Sequence, residues 1–191
     1  MRQAAAEVFR LRGELLSKAA EVETLLDLVI GFYFRIDGGR RDEFRLWLLR
    51  QMPVNQRIDI FRRIVRSRDN QFMRDLVGRL EAANTFRNSI AHSSVATHAK
   101  NGSVDISSAH VRSSGTLPVE SDTTKLEQWL SEMDMIGCVI TVIADQIISG
   151  PSPFNPGEID WPSMVEQSVQ DGVVSVSNAF LDSVPTVGED E

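Results

Sequence analysis

An all-α fold is predicted by two features of the chain. Apolar residues recur at steps of three and four from the N-terminal region to Ile147, and helix-stopping residues separate those runs. The exception lies at 93–122, rich in Ser, Thr and Gly, where a small β-hairpin or loop insertion is expected between the fourth and fifth helices. The expected organisation is a helical domain over 1–150 and an acidic C-terminal segment over 151–191.

The first helix carries Leu15, Ala19, Val22, Leu26, Val29 and Tyr33 on one stripe, widened by Leu25, Leu28 and Phe32. Gly38-Gly39 is expected to end it. A short helix from about Asp42 to Met52 should turn Phe44, Trp47 and Leu48 inward, and Pro53 should stop it. The third helix carries Ile58, Phe61, Ile64 and Val65. Asp69 or Asn70 is placed to cap the fourth, because either offers a side-chain oxygen to free N–H groups. Its stripe is Phe72, Leu76, Leu80, Ala83, Phe86 and Ile90. Lys100-Asn101-Gly102-Ser103 reads as the turn of the hairpin. Ser121-Asp122 should cap the fifth helix, whose stripe is Leu126, Leu130, Met133, Gly137, Ile140, Ile143 and Ile147. Beyond Gly150, Val165, Val169, Val173, Val176 and Phe180 suggest one appended amphipathic helix, capped by Asp160 with Pro162 in its first turn.

Charge is segregated along the chain. The formal net charge is −7, yet Arg35 to Arg87 holds 13 arginines, no lysine and 7 acids. Pro151 to Glu191 holds 8 acids and no Lys or Arg. Solvated helix faces would explain the basic middle, and so would a phosphate-binding surface. Arginine rather than lysine favours the second, since its fork bonds phosphate oxygens in pairs.

Several classes of chemistry find no support. The longest apolar stretch, near Leu25 to Phe34, is too short to cross a bilayer, so no membrane partner is expected. The charged, amphipathic N-terminus is unlike a secretory signal, which points to a cytoplasmic setting. The lone cysteine, Cys138, excludes an intrachain disulfide and a multi-cysteine zinc site. There is no glycine-rich phosphate loop, no HExxH and no nucleophile-elbow serine. His98 and His110 fall in the insertion without companion ligands, so neither a metal nor another cofactor is expected.

What remains is the end of the fourth helix, TFRNSIAHSS. Asn88 and His92 are four residues apart and share a face, with Arg87 one step round. On spacing alone this trio also fits an ordinary polar helix end, where a histidine meets free carbonyls favourably.

The segment RNSIAH, Arg87 to His92, resembles the signature of the HEPN superfamily: an arginine, a polar residue, and a histidine after four to six intervening residues, here four. The frequent RNxxAH variant is matched at every fixed position. ELLSKAAEVETLLDLVIGFYF resembles the long first helix of many bacterial members, and FMRDLVGRLEAANTFRNSIAH their motif-bearing helix. The likeness spans roughly residues 8 to 148, specific at the motif and general elsewhere. It implies a five-helix, largely antiparallel HEPN-like bundle that forms a homodimer, with two motifs facing each other at the interface. It also implies a metal-independent endoribonuclease cleaving single-stranded or loop RNA, in a toxin–antitoxin or anti-phage system, with an antitoxin or other regulatory protein as partner. Arg87, Asn88 and His92 are then the catalytic residues. Other members are non-catalytic modules that bind a partner protein or a nucleotide. Some toxin members carry, two residues after the histidine, a tyrosine that a partner enzyme modifies. Here that position is Ser94 and the only tyrosine is Tyr33, which argues against silencing by that route.

Overall fold

A computed structural model of the chain describes residues 2–36, 38–66, 70–97, 104–108, 123–149 and 160–170. Six α-helices occur among the described residues: α1 (Arg2–Tyr33), α2 (Gly38–Trp47), α3 (Val54–Ile64), α4 (Gln71–Ala91), α5 (Thr123–Ser149) and α6 (Trp161–Gln170). A 3-10 turn, Leu49–Gln51, follows α2. Between α4 and α5, β1 (Ser93–Thr97) and β2 (Val104–Ser108) pair antiparallel, with Val95 opposite Ile106. All other regular structure described is helical. No described helix is long and apolar enough to cross a membrane. The expected turn at Lys100–Ser103, the Ser121-Asp122 cap and the stripe beyond Val169 lie outside the described residues.

The chain divides into two compact units. Unit 1 comprises Met1–Ala20 and Ala82–Met133. Its core includes Val8, Leu11, Leu15 and Ala19 from α1, Ala83, Phe86 and Ile90 from α4, and Leu126 and Met133 from α5. The Phe86 and Trp129 rings stack, centroids 4.7 Å apart and 14° from parallel, which gains energy beyond simple burial.

Unit 2 comprises Glu21–Glu81 and Asp134–Glu191. Its core includes Val22, Leu26, Val29 and Ile30 of α1 and all four residues expected of the third helix, Ile58, Phe61, Ile64 and Val65. Met73, Leu76, Val77 and Leu80 of α4 and a near-continuous run of α5 from Met135 to Ala144 complete it. Gly137 comes close to α1: a Cβ there would sit 3.7 Å from Leu25 and 3.8 Å from Val22.

Inside this core lies an ion triad. Arg57 donates from Nη1 to Asp27 Oδ1 and from Nη2 to Glu23 Oε2, both at 2.9 Å. Arg57 and Asp27 are buried, and the Arg57 Nε–H has no acceptor among the described residues. Burial pushes the Asp27 carboxyl above its ordinary value, although the Arg57 guanidinium pulls the other way.

Cys138 is also buried, and burial pushes its thiol up to about 11. Only the thiolate is nucleophilic, so the native protein should resist iodoacetamide at pH 8 and react once unfolded. Native-state labelling as fast as that of a free thiol would contradict this placement.

Three expectations need correction. Gly38-Gly39 does not end α1; these residues open α2. The helix stops earlier, where Arg35 adopts φ 51°, the left-handed conformation usually left to glycine. Arg35 N–H donates to Phe32 O and Ile36 N–H to Gly31 O, at 2.9 and 3.1 Å, which together form a Schellman cap. Arg41 of α2 fastens this turn: its Nε and Nη2 donate to Ile36 O, and its guanidinium lies 4.0 Å over the Phe32 ring. Arg35→Gly should therefore stabilise unit 2 by about 1 kcal/mol, relieving the steric cost of a side chain in this conformation. Thermal unfolding would show it as a rise of about 2–4 °C.

The second correction concerns α2, which buries no residue of its own. Trp47 is 75 % exposed and Leu48 49 % exposed, with Phe44 only half-buried. The buried residue is Leu49, because the chain passes there into the 3-10 turn and the helical register lapses. Tyr33, expected inward on α1, is 40 % exposed.

The caps follow the reading more closely. Asn70 Oδ1 accepts the Met73 N–H at 3.2 Å at the start of α4. Asp160 Oδ2 accepts the Ser163 hydroxyl at 2.7 Å and its Oδ1 faces the Ser163 N–H, with Pro162 in the first turn of α6.

Candidate functional site

The candidate residues lie where α4 ends in unit 1. Helical spacing puts Phe86 and Ile90 in the core, so the residues between them face outward. Arg87 is half-buried, while Asn88 and His92 are exposed. Ser89 returns its hydroxyl to Phe86 O at 2.7 Å, along its own helix.

Arg87 and Asn88 form a unit. Arg87 Nη1 donates to Asn88 Oδ1 at 2.8 Å. The bond takes one of the two lone pairs of the amide oxygen and orients the amide, whose two Nδ2 protons are donors. His92 is the first residue beyond α4, yet its N–H still donates to Asn88 O at 3.2 Å. The imidazole is thus carried on the last hydrogen-bonded turn, anchored to the backbone of the same asparagine whose side chain holds Arg87.

A further arginine acts on this turn. Arg12 of α1 donates from Nη2 to Ala91 O at 3.3 Å, one residue before His92. The carbonyls at a helix end lack partners within the helix and carry partial negative charge, so a guanidinium there satisfies one and steadies the turn. Nothing in the sequence pointed to Arg12. It lies 79 positions from Ala91, and only tertiary structure brings the two together.

The site combines a fixed guanidinium, an amide turned to donate, and an imidazole, all at one exposed helix end. Such a set suits an anion bearing an exchangeable proton: two donors for the charge and one imidazole able to accept or give a proton. Among the described residues, no group of three or more His, Cys, Asp or Glu is placed to hold a metal ion. His98 and His110 lie outside the described residues, and Ser94 is described as backbone within β1, opposite Ser107. No family model matches the chain, and neither a curated protein nor a solved structure does.

Proposed function

We propose that the protein is a HEPN-type endoribonuclease that cleaves single-stranded or loop RNA with Arg87, Asn88 and His92. The supporting observation is the hydrogen-bonded Arg87–Asn88 pair beside His92 on the exposed end of α4, in residues that match RNxxAH throughout.

RNA supplies its own nucleophile, so the protein need contribute only proton transfer and charge stabilisation. His92 takes the 2′-OH proton as the oxygen attacks the adjacent phosphorus. Arg87 bonds the non-bridging oxygens, where negative charge grows in the pentacoordinate transition state. Asn88 donates to the same phosphate while its Oδ1 keeps Arg87 aimed. The bond to the 5′-oxygen breaks, leaving a 2′,3′-cyclic phosphate and a 5′-hydroxyl. That leaving oxygen needs a proton, and one imidazole cannot both accept and donate in a single step. A homodimer with facing motifs supplies the second histidine, which is the mechanistic reason to expect one. The arginines of residues 35–87 would draw in the RNA backbone, with affinity falling as salt rises.

The test is incubation of purified protein with single-stranded RNA in EDTA. Expected are fragments with 2′,3′-cyclic phosphate or derived ends. RNA left intact with and without divalent ions would overturn the proposal.

A second reading is a non-catalytic HEPN module that binds a partner protein or a nucleotide. The acidic segment after Pro151 favours it, since eight acids without a base suit a basic partner. Growth arrest on expression, relieved by changing Arg87 or His92, supports the nuclease. Harmless expression with a stable heteromeric complex supports the module.

A further inference from the structure

The arginine-rich middle of the chain contains more than a diffuse positive surface. On unit 2, α3, the residues just after it, and the first half of α4 enclose an open cavity of about 910 Å³. Arg62, Arg63, Arg66 and Arg74 line it, together with the carboxylates Asp59 and Glu81. The motif residues Arg87, Asn88 and His92 are not among its lining.

The four arginines do not play equal parts. Arg62 is engaged by both carboxylates, donating to Asp59 and to Glu81. Arg74 donates to Gln71 Oε1 at 3.0 and 2.7 Å from its own helix. Arg63 and Arg66 are exposed, and no described residue gives either side chain a hydrogen bond or an ion pair. Among the described lining residues, four guanidiniums against two carboxylates leave an excess of two positive charges. A phosphate monoester carries about −1.5 to −2 at neutral pH and offers three acceptor oxygens, which matches that excess.

The floor of the cavity is of a different character. Met73 and Val77 of α4 are buried beneath it, and beside them Gly78 is exposed. A Cβ built on Gly78 meets nothing within 4 Å, so open space lies directly above this stretch of helix backbone. Glycine inside a helix costs roughly 0.5–1 kcal/mol relative to alanine, and here no close neighbour requires it. What it does provide is a flat, bare stretch of helix beside an apolar floor, within reach of guanidiniums that have no partner among the described residues.

We propose that this cavity is a second ligand site, taking a small phosphate monoester whose organic part is flat and apolar. The phosphate is held by Arg63 and Arg66, with Arg62 and its carboxylates fixing the far wall. The flat group lies over Gly78 against Met73 and Val77. An aryl phosphate and a nucleoside monophosphate share this chemistry. The inference rests on the cavity and stands whether or not the motif cleaves RNA.

Calorimetric titration of the full chain at low salt tests it, with inorganic phosphate, phenyl phosphate and adenosine monophosphate as probes. Both esters should bind more tightly than inorganic phosphate, and added salt should weaken all three. Whichever ester binds more tightly names the source. Arg63→Ala with Arg66→Ala should lower ester affinity by about tenfold or more, since two charge-assisted bonds are lost. Arg50→Ala, which removes an exposed arginine outside the cavity, should leave affinity unchanged. Gly78→Leu should fold, because its side chain enters open space, and should weaken the esters while sparing inorganic phosphate. Failure of all three probes to bind overturns the site. So does equal weakening by Arg50→Ala and by the double variant, or ester binding untouched by Gly78→Leu.

Discussion

Replacing Arg57 with Met is expected to cost unit 2 about 3–5 kcal/mol of stability, the loss typical when one partner of a buried ion pair is removed. Arg57 bonds both Asp27 and Glu23, and Asp27 is 5 % exposed. Without the guanidinium, Asp27 keeps the cost of leaving water and loses its main compensation. Urea unfolding should show the midpoint falling with little change in slope. Replacing Asp27 with Leu in the same chain should recover much of the loss, because a buried apolar side chain carries no unmet charge.

The same pair carries a pH signature with a definite sign. Burial raises the folded Asp27 carboxyl above its ordinary 3.8, so between that value and the raised one the folded chain binds more protons than the unfolded chain. Stability from this group is therefore fully present below pH ~4 and is lost as pH rises through the folded pKa. That is opposite to an aspartate whose partner lowers its pKa. Removing Arg57 removes the main influence opposing burial, so Arg57→Met should lose less stability at pH 4 than at pH 7. Parallel stability profiles for the two proteins between those values would show that Asp27 does not feel Arg57 in this way.

Arg87→Ala is expected to slow RNA cleavage by about 10²–10³-fold, the usual consequence of deleting one donor to transition-state charge. Arg87→Lys should recover only part of that. A lysine restores the charge but lacks the planar fork that can bond Asn88 Oδ1 and a phosphate together. Stability should barely change in either variant, because Arg87 faces outward between the core residues Phe86 and Ile90. A measured loss of folding in Arg87→Ala would instead make this arginine structural. Asn88→Ala should show a smaller defect than Arg87→Ala, with both the amide donors and the aim of Arg87 affected.

How much of this was legible beforehand depends on the range over which each interaction acts. The stripes of α3 and α4 could be read directly, because burial along a regular helix repeats with its pitch, and Ile58, Phe61, Ile64, Leu76, Leu80, Ala83, Phe86 and Ile90 all follow it. The cap by Asn70 was legible for the same reason: donor and acceptor lie three residues apart. The end of α1 was not. Glycine is the usual left-handed cap, so Gly38-Gly39 drew the boundary, whereas Arg35 takes that conformation and Arg41 bonds the Ile36 carbonyl just after it. The face of α2 misled because Leu49 lies past the point where its register lapses.

Charge gave the same lesson at longer range. The sequence shows the arginines of residues 35–87 as a single basic run. The structure sorts them by use: Arg57 lies buried in an ion triad, Arg41 clamps a turn, and Arg63 and Arg66 line a cavity without ion-pair partners among the described residues. No local pattern separates these uses, because each depends on residues distant in sequence. The candidate site divides likewise. Asn88 and His92 were legible as one face from their spacing, while Arg12 on the Ala91 carbonyl was not.

The central claim is that His92 moves the proton when RNA is cut. The most direct measurement compares the cleavage rate of one single-stranded RNA by the unaltered protein and by His92→Ala, both in EDTA and matched for folded content by circular dichroism. A loss of about 10²–10⁴-fold, with disappearance of the 2′,3′-cyclic phosphate product, is expected. Cleavage by His92→Ala at the unaltered rate would contradict the account.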